Sequence, residues 1–201
     1  MAPNNQAPNR QELGKAGQAP KGQELGKAGQ APNRQKIRAE AAHRHESIMA
    51  KIEATESRKF KVRCALERAY ASFADPEQIK RCFVDLERFE LLSPNSARWV
   101  QREKAEKGVR FQADYSVVYE GNGRDQVSWK SIAGNLDTQG TVSLRELPGG
   151  ELEIDYRETL APDLPIPKLA AMVFKPIVAR EVRQGIANYL DRVERLLNSN
   201  D

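Results

Sequence analysis

The chain has 201 residues and a formal net charge of +4 at pH 7, a length that predicts one domain of ordinary size plus additional segments. The positive charge is concentrated at one end, because residues 1–38 contain seven Lys and Arg against two Glu, a balance of +5, which leaves −1 for the other 163 residues. This basic segment is either a solubilising tail or a region attracted to nucleic acid, anionic lipid or an acidic protein surface.

Several classes of protein are excluded by simple counts. No stretch is apolar over the roughly 18 residues that a membrane span requires, and the N-terminus lacks the basic and apolar regions of a secretory signal. The two cysteines, Cys64 and Cys82, have neither the density nor the spacing of a disulfide framework or a zinc site, and they are expected to be buried thiols. We therefore expect a cytoplasmic protein without a metal or a cofactor.

A 12-residue repeat opens the chain. Residues 6–17 and 18–29 are identical at ten of twelve positions, and a third copy begins at Gln30. Each copy has one Pro and a single Leu, and all thirteen aromatic residues lie at or after Phe60, so residues 1–35 are expected to be a disordered tail. The repeat is either a flexible spacer or a multivalent motif whose copies each bind one protein partner weakly.

The segment after the repeats favours a helix. Residues 34–55 are rich in Ala, Glu, Lys, Arg and Gln, which are strong helix formers, and we assign residues 36–57 to a helical linker. Because His43 and His45 lie two positions apart, they fall on different faces of such a helix and do not form a metal site. The helix either stands apart or pairs with a partner helix, since its apolar stripe is thin: Ile37, Ala41, Ile48 and Ile52.

A period of two predicts the first strand over residues 59–66, with Phe60, Val62, Cys64 and Leu66 on its buried face. Two short helices follow between residues 67 and 84, the second capped by Asp75 and started by Pro76. Residues 86–95 are expected to form a loop. Five antiparallel strands are then predicted at residues 97–103, 109–120, 125–133, 140–147 and 151–160.

The C-terminal part predicts a linker and then one long helix. Three prolines between residues 162 and 167 disfavour regular structure over residues 160–167. A helix is predicted from Lys168 to Leu197, kinked near Pro176, and its apolar residues 169–174 are expected to have contacts on more than one side. The apolar stripe of this helix consists of Val182, Ile186, Tyr189, Val193, Leu196 and Leu197.

This order of elements resembles the helix-grip fold of the START-like (SRPBCC) superfamily, which includes polyketide cyclases/dehydrases and coenzyme Q-binding proteins. The more specific parts of the resemblance are Ala74-Asp-Pro-Glu77 with residues 82–87, the strand end at residues 129–135, and residues 141–144 with 148–154. It implies an α+β domain over residues 58–198. In that fold a curved antiparallel sheet of about six or seven strands surrounds the C-terminal helix, with two short helices after the first strand.

The resemblance also implies a cavity for an apolar small molecule between the sheet and the helix. Tyr115 and Tyr156 would be its polar groups. An alternative is that the same aromatic side chains fill the interior as ordinary core. The residues expected to line the cavity are Trp99, Phe111, Tyr115, Trp129 and Tyr156 from the sheet and Met172, Phe174 and Ile177 from the helix.

No catalytic residue is assigned. The domain contains no His, so acid or base catalysis would depend on Asp114, Tyr115 or Glu158. Asp114 falls on a polar strand face and Glu158 near a frayed strand end, so both carboxylates are expected to be solvated.

Three functions follow from these observations. The leading hypothesis is a non-enzymatic carrier for an isoprenoid quinone, a lipid or a polyketide-like molecule, tethered by its tail. The alternatives are a polyketide cyclase/dehydratase-type enzyme and a scaffold protein that acts through the repeats. We expect no specific nucleic-acid binding, and at most peripheral membrane contact through the basic tail.

Overall fold

The computed structural model describes residues 50–199. The repeats, His43, His45 and the predicted helix before Ala50 lie outside these residues. The elements in chain order are β1 (Ala50–Lys51), β2 (Ala54–Val62), α1 (Leu66–Ala74), α2 (Pro76–Cys82), β3 (Leu86–Ser93), β4 (Ser96–Gln101), β5 (Lys104–Glu106), β6 (Val109–Phe111), β7 (Asp114–Gly121), β8 (Gln126–Gly134), β9 (Leu136–Leu147), β10 (Glu151–Leu164), a 3-10 turn (Lys168–Ala170) and α3 (Ala171–Asn198).

Eight of the strands form one antiparallel sheet in the order β1, β10, β9, β8, β7, β4, β3, with β2 pairing along the same edge of β10 as β1. Strands β7 to β10 are consecutive hairpins. Strands β1 and β2, at the start of the described residues, pair with β10, the last strand. The strands β5 and β6 make a separate hairpin. The α+β class, the antiparallel sheet and the two short helices are therefore confirmed, with one or two more strands than predicted.

The long helix α3 packs on the sheet through a single apolar face. Its buried residues recur every three or four positions, which places them on one side of the helix. Arg68 of α1 donates hydrogen bonds to the carbonyl oxygens of Leu196, at 2.6 Å, and Ser199, at 2.9 Å, and so fixes the C-terminal end of α3. The buried residues of α3 are Val178, Val182, Ile186, Leu190, Val193 and Leu197.

The beginning of the helical region differs from the prediction. Leu169 is 94% exposed, Met172 is 85% exposed and Val173 is 60% exposed, so the expectation that residues 169–174 are covered on several sides is wrong for the residues that the structure describes. Residues 168–170 form a 3-10 turn instead of the first α-helical turn, and Pro176 lies inside the second turn of α3. The kink expected at Pro176 stays a prediction.

The predicted helix over residues 34–55 is wrong from Ala50 onward. Ala50 and Lys51 pair with Leu164 and Asp163, and β2 begins at Ala54. Ala50 and Ile52 are buried, with 3% and 4% of their surface exposed. The edge of β10 offers hydrogen-bonding partners, and this tertiary contact outweighs the helix propensity of the segment, because propensity is a small effect compared with tertiary contacts. The domain boundary predicted at residue 58 falls within β2.

Two further boundaries are corrected. The predicted first strand ends at Val62, and Leu66 begins α1. Residues 86–93, predicted as a loop, form the edge strand β3, which pairs with β4 and contains two register irregularities. These irregularities interrupt the alternation of buried and exposed side chains, which explains why a period of two is not visible in this segment.

The prolines did not end β10 where they were expected to. This strand continues to Leu164, and Pro162 pairs with Leu136 although it has no N–H to donate. Proline is tolerated near the end of a strand. The predicted strand over residues 109–120 is likewise divided into β6 and β7. The turn before β6 contains Lys107 and Gly108, both with positive φ (48° and 79°), as a two-residue hairpin requires.

None of the helices within residues 50–199 is long and apolar enough to cross a membrane. The cytoplasmic location expected from the sequence stays a prediction.

Candidate functional site

A cavity of about 590 Å³ lies between the inner face of the sheet and α3. Its walls come from strands β4 to β10, from α1 and α2 and from α3 between Phe174 and Tyr189. Some of its lining residues are exposed to solvent, among them Ala105 and Glu106 of β5 and Gln184 and Asn188 of α3. The cavity therefore opens to the surface between the β5–β6 hairpin and α3, and its volume is in the range of small-molecule sites.

Two ion pairs join the hairpin to the helix beside this opening. The Lys104 ammonium lies 3.7 Å from the Glu181 carboxylate, and the Arg180 guanidinium lies 3.5 Å from the Glu106 carboxylate. Exposed pairs of this kind contribute at most about 1 kcal/mol each. These two ion pairs consequently hold the hairpin against α3 only weakly.

Six of the eight residues expected to line the cavity do so: Phe111, Tyr115, Trp129, Tyr156, Phe174 and Ile177. Tyr115, Trp129 and Tyr156 are buried members of the hydrophobic core, and the other three are partly exposed. Their contact with a ligand stays a prediction.

Trp99 and Met172 are the two exceptions. Trp99 is fully buried, and its indole ring stacks on Phe83 at 4.6 Å between centroids and packs on Phe89 at 4.8 Å. Phe83, which follows α2, covers the indole ring of Trp99. Trp99 therefore belongs to the packed core and not to the cavity wall. Met172 lies in the exposed first turn of α3.

Glu158 is a polar group of the cavity whose carboxylate accepts three hydrogen bonds. Its Oε1 accepts hydrogen bonds from Trp129 Nε1 at 3.1 Å and from Thr138 Oγ1 at 2.8 Å, and its Oε2 accepts one from the Tyr156 hydroxyl at 2.7 Å. The expectation that Glu158 is solvated at a frayed strand end is wrong, because β10 extends six residues beyond it. The strand alternation that buries Tyr156 also directs Glu158 inward.

The strand register brings these groups together. Trp129 of β8 pairs with Gly140 of β9, and Gly140 pairs with Glu158 of β10, so the three residues form one row across the sheet. A Cβ atom on Gly140 would collide with the indole ring of Trp129. The absence of a side chain at Gly140 therefore lets Trp129 lie across β9 and reach Glu158.

Burial shifts the pKa values of the ionisable groups in the cavity. It raises the pKa of Glu158, while the hydrogen bonds from Tyr156, Thr138 and Trp129 act in the opposite direction. Burial, assisted by the negative charge of Glu158, also raises the pKa values of the cavity tyrosines, which are consequently neutral at physiological pH. These tyrosines are Tyr115, Tyr119, Tyr156 and Tyr189.

Asp114, the other candidate carboxylate, has a different environment. Arg98 donates two hydrogen bonds to it, at 2.8 and 2.7 Å, and this ion pair lowers the pKa of Asp114. About 38% of its side chain is exposed. Its position on a solvated face agrees with the strand alternation.

Residues 50–199 contain no group of three or more His, Cys, Asp or Glu side chains arranged to hold a metal ion. Cys64 and Cys82 are free thiols within the same residues; Cys82 is buried as expected, and Cys64 is only half-buried.

No protein-family model and no curated protein sequence matches the chain. Solved structures do match. A START superfamily protein from Mycobacterium smegmatis is 12% identical, with 71% of this chain and 96% of that chain covered and a TM-score of 0.55. The chain has the START-like helix-grip fold. An aromatase/cyclase from a Streptomyces species is also 12% identical, with 72% and 93% covered and a TM-score of 0.55. A Thermus thermophilus protein is 19% identical, with 71% and 94% covered and a TM-score of 0.55.

The helix-grip domain contains cavity residues that the sequence analysis did not select: Gln101, Tyr119, Thr138 and Tyr189. Two of them carried a usable signal, because Tyr119 shares the face of Tyr115 on β7 and Tyr189 belongs to the predicted stripe of α3. Gln101 donates a hydrogen bond to the Tyr115 hydroxyl at 3.3 Å. Neither this contact nor that of Thr138 with Glu158 has a local sequence signal, since both join residues of different strands.

Proposed function

We propose that the helix-grip domain binds an apolar small molecule in the cavity and acts as a carrier without catalysing a reaction. The observation that supports this proposal is an open cavity of about 590 Å³ whose lining includes Phe111, Trp129, Phe174 and Ile177. A mostly apolar, concave site with a few polar groups suits such ligands. Isoprenoid quinones, lipids and polyketide-like molecules are the ligand classes that we favour.

The experiment tests cavity occupancy directly. The protein is purified from its own host, extracted with organic solvent and examined by mass spectrometry for a stoichiometric ligand, and binding of the apolar dye Nile red is measured on the emptied protein. Ile177→Trp should fill part of the cavity and weaken dye binding. The matched control is Val173→Trp, since Val173 lies on the same helix, is 60% exposed and does not line the cavity.

Two results together would contradict the proposal. They are an extract without a stoichiometric small molecule and a dye affinity that Ile177→Trp leaves equal to that of Val173→Trp.

One observation favours a second candidate, an enzyme of the cyclase or dehydratase type. Inside the cavity the half-buried carboxylate of Glu158 accepts a hydrogen bond from the buried hydroxyl of Tyr156, and such a pair can move a proton to or from a substrate. The test is turnover of a polyketide-like substrate. If Tyr115→Phe and Tyr156→Phe both retained full turnover, this mechanism would be wrong.

The role of the N-terminal tail is a separate proposal. The repeats supply several copies of one short motif, and linked copies raise the effective concentration for a shared partner. We propose that the tail tethers the ligand-binding domain to a protein partner. Deletion of residues 1–35 should abolish capture of that partner and leave the midpoint of thermal unfolding unchanged. If capture were unchanged, the tail would be a spacer and not a tether.

A further inference from the structure

The hydrogen bonds of Glu158 leave part of its carboxylate available to a ligand. A carboxylate offers about four acceptor positions. Trp129 and Thr138 occupy those of Oε1, whereas Oε2 accepts one bond, from Tyr156, among residues 50–199. Glu158 is only half-buried although it lies in the interior, and it lines the cavity. Its remaining acceptor position is therefore accessible from the cavity.

The three hydrogen-bond donors to Glu158 are all neutral side chains. Indole Nε1 donates and cannot accept, so Trp129 requires an acceptor at Oε1. The three convergent donors favour the ionised carboxylate and oppose the burial that raises the pKa of Glu158, and a cation beside it would favour the ionised form further. The ion pairs formed within residues 50–199 do not include Glu158. A desolvated charge without an opposite charge is costly. The site therefore presents a negative charge that a cationic ligand group would neutralise.

Aromatic rings surround this charge. The rings of Trp129 and Tyr156 lie 5.2 Å apart between centroids, and those of Tyr156 and Tyr189 lie 6.3 Å apart. Tyr115 and Tyr119 line the same cavity. The faces of such rings attract ammonium groups, most strongly where water is excluded.

We propose that the ligand of this cavity is an amphipathic amine, whose protonated nitrogen binds Glu158 among these rings while its apolar body fills the rest of the space. The inference rests on the proposed ligand-binding function and makes it more specific. A neutral alcohol would offer one hydrogen bond to Oε2 but would leave the charge of Glu158 uncompensated. A carbonyl ligand would meet a hydrogen-bond acceptor instead of a donor.

The test compares three probes that share one apolar body: pyrenylmethylamine, pyrenylmethanol and pyrenecarboxylate. Their affinities for the full chain are measured at neutral pH by displacement of Nile red and by calorimetry. A hydrogen bond to a charged group predicts that the amine binds roughly tenfold or more tightly than the alcohol, and that the carboxylate binds most weakly. In Glu158→Gln the amine-to-alcohol ratio should fall to about threefold or less.

Glu56→Gln is the matched control. Glu56 pairs directly with Glu158 in the sheet, but its carboxylate accepts a hydrogen bond from Arg183 at 3.3 Å and does not line the cavity. This variant should keep the preference for the amine. If Glu158→Gln fails to fold, the three probes on the unmodified chain decide whether the cavity prefers an amine, and Glu158→Asp, whose shorter side chain withdraws the carboxylate, should lower the amine-to-alcohol ratio if Glu158 is the binding group.

The outcomes separate the two proposals. Displacement of Nile red by all three probes without a preference for the amine would overturn the amine assignment and leave the carrier function intact. An amine preference that Glu158→Gln retains would also overturn the assignment to Glu158. Failure of Nile red and all three probes to bind would overturn both proposals.

Discussion

Replacement of Gly140 by Ala tests whether the row Trp129, Gly140, Glu158 organises the cavity. The new Cβ would occupy space that the indole ring of Trp129 now fills, and the backbone carbonyl of Arg157 lies 2.7 Å from the same position. One neighbour belongs to the backbone of a central strand and cannot move far. The indole ring must therefore be displaced, and its hydrogen bond to Glu158 would be lost.

The expected magnitude follows from two costs and one gain. Overfilling a packed interior costs about 1–3 kcal/mol, and loss of a hydrogen bond to a charged group costs about 1.5–3 kcal/mol. Replacing a glycine in a strand returns about 0.5–1 kcal/mol through the entropy of the unfolded chain. We expect a net loss of about 1.5–5.5 kcal/mol in the free energy of unfolding.

Urea unfolding followed by tryptophan fluorescence measures this change, and Nile red binding reports the state of the cavity in the same samples. The control is Gly185→Ala in α3, where an added Cβ meets no atom within 4 Å, and where Ala should stabilise the helix by about 0.5–1 kcal/mol. A Gly140→Ala protein with a free energy of unfolding within about 0.5 kcal/mol of the unmodified chain would refute the reasoning, since such small changes are typical of uninvolved positions.

Three other predictions concern the interior. Burial raises the pKa of Glu158 in the folded protein, so the folded state binds this proton more tightly than the unfolded state. The stability of the unmodified chain relative to Glu158→Gln should therefore fall as the pH rises from below the unfolded pKa through the folded pKa. A difference in urea unfolding that does not change with pH would contradict this prediction. Leu190→Ala, at a fully buried position of α3, should lower the free energy of unfolding by about 2–5 kcal/mol. Leu169→Ala, at a position 94% exposed, should change it by less than about 0.5 kcal/mol. Equal urea midpoints for the two variants would contradict this prediction. Burial raises the pKa values of both thiols, so both should react slowly with a maleimide. Labelling measured by mass spectrometry should be slow at half-buried Cys64 and slower still at Cys82, which is 2% exposed. Faster labelling of Cys82 would argue against the packing of α2.

The carrier and the enzyme make different use of the same cavity. A carrier requires an opening that closes over the ligand, and the weak ion pairs between the β5–β6 hairpin and α3 are consistent with movement there. An enzyme requires a proton donor or acceptor whose pKa is adjusted by its surroundings, and Glu158 has such surroundings. Measurements on Glu158→Gln therefore bear on both proposals.

The sequence by itself determined those elements whose signal is local. The alternation in β8 and β10 and the spacing of three and four in α3 follow from which side chains must leave water. The cap of α2 is local too: Asp75 accepts a hydrogen bond from the Glu77 N–H at 2.9 Å. Of the cavity residues, Phe111, Tyr115 and Tyr156 lie on strand faces that this periodicity predicts.

Only the tertiary structure decided the elements that depend on a partner distant in the chain. Ala50, Lys51 and the start of β2 at Ala54 became strand because the edge of β10, more than a hundred residues later, was free to pair with them. Residues 86–93 became strand because β4 lies beside them. The carboxylate of Glu158 accepts hydrogen bonds from other strands because Gly140 allows Trp129 to reach it and Thr138 faces it from the next strand. Such contacts join distant parts of the chain, and local periodicity carries no information about them.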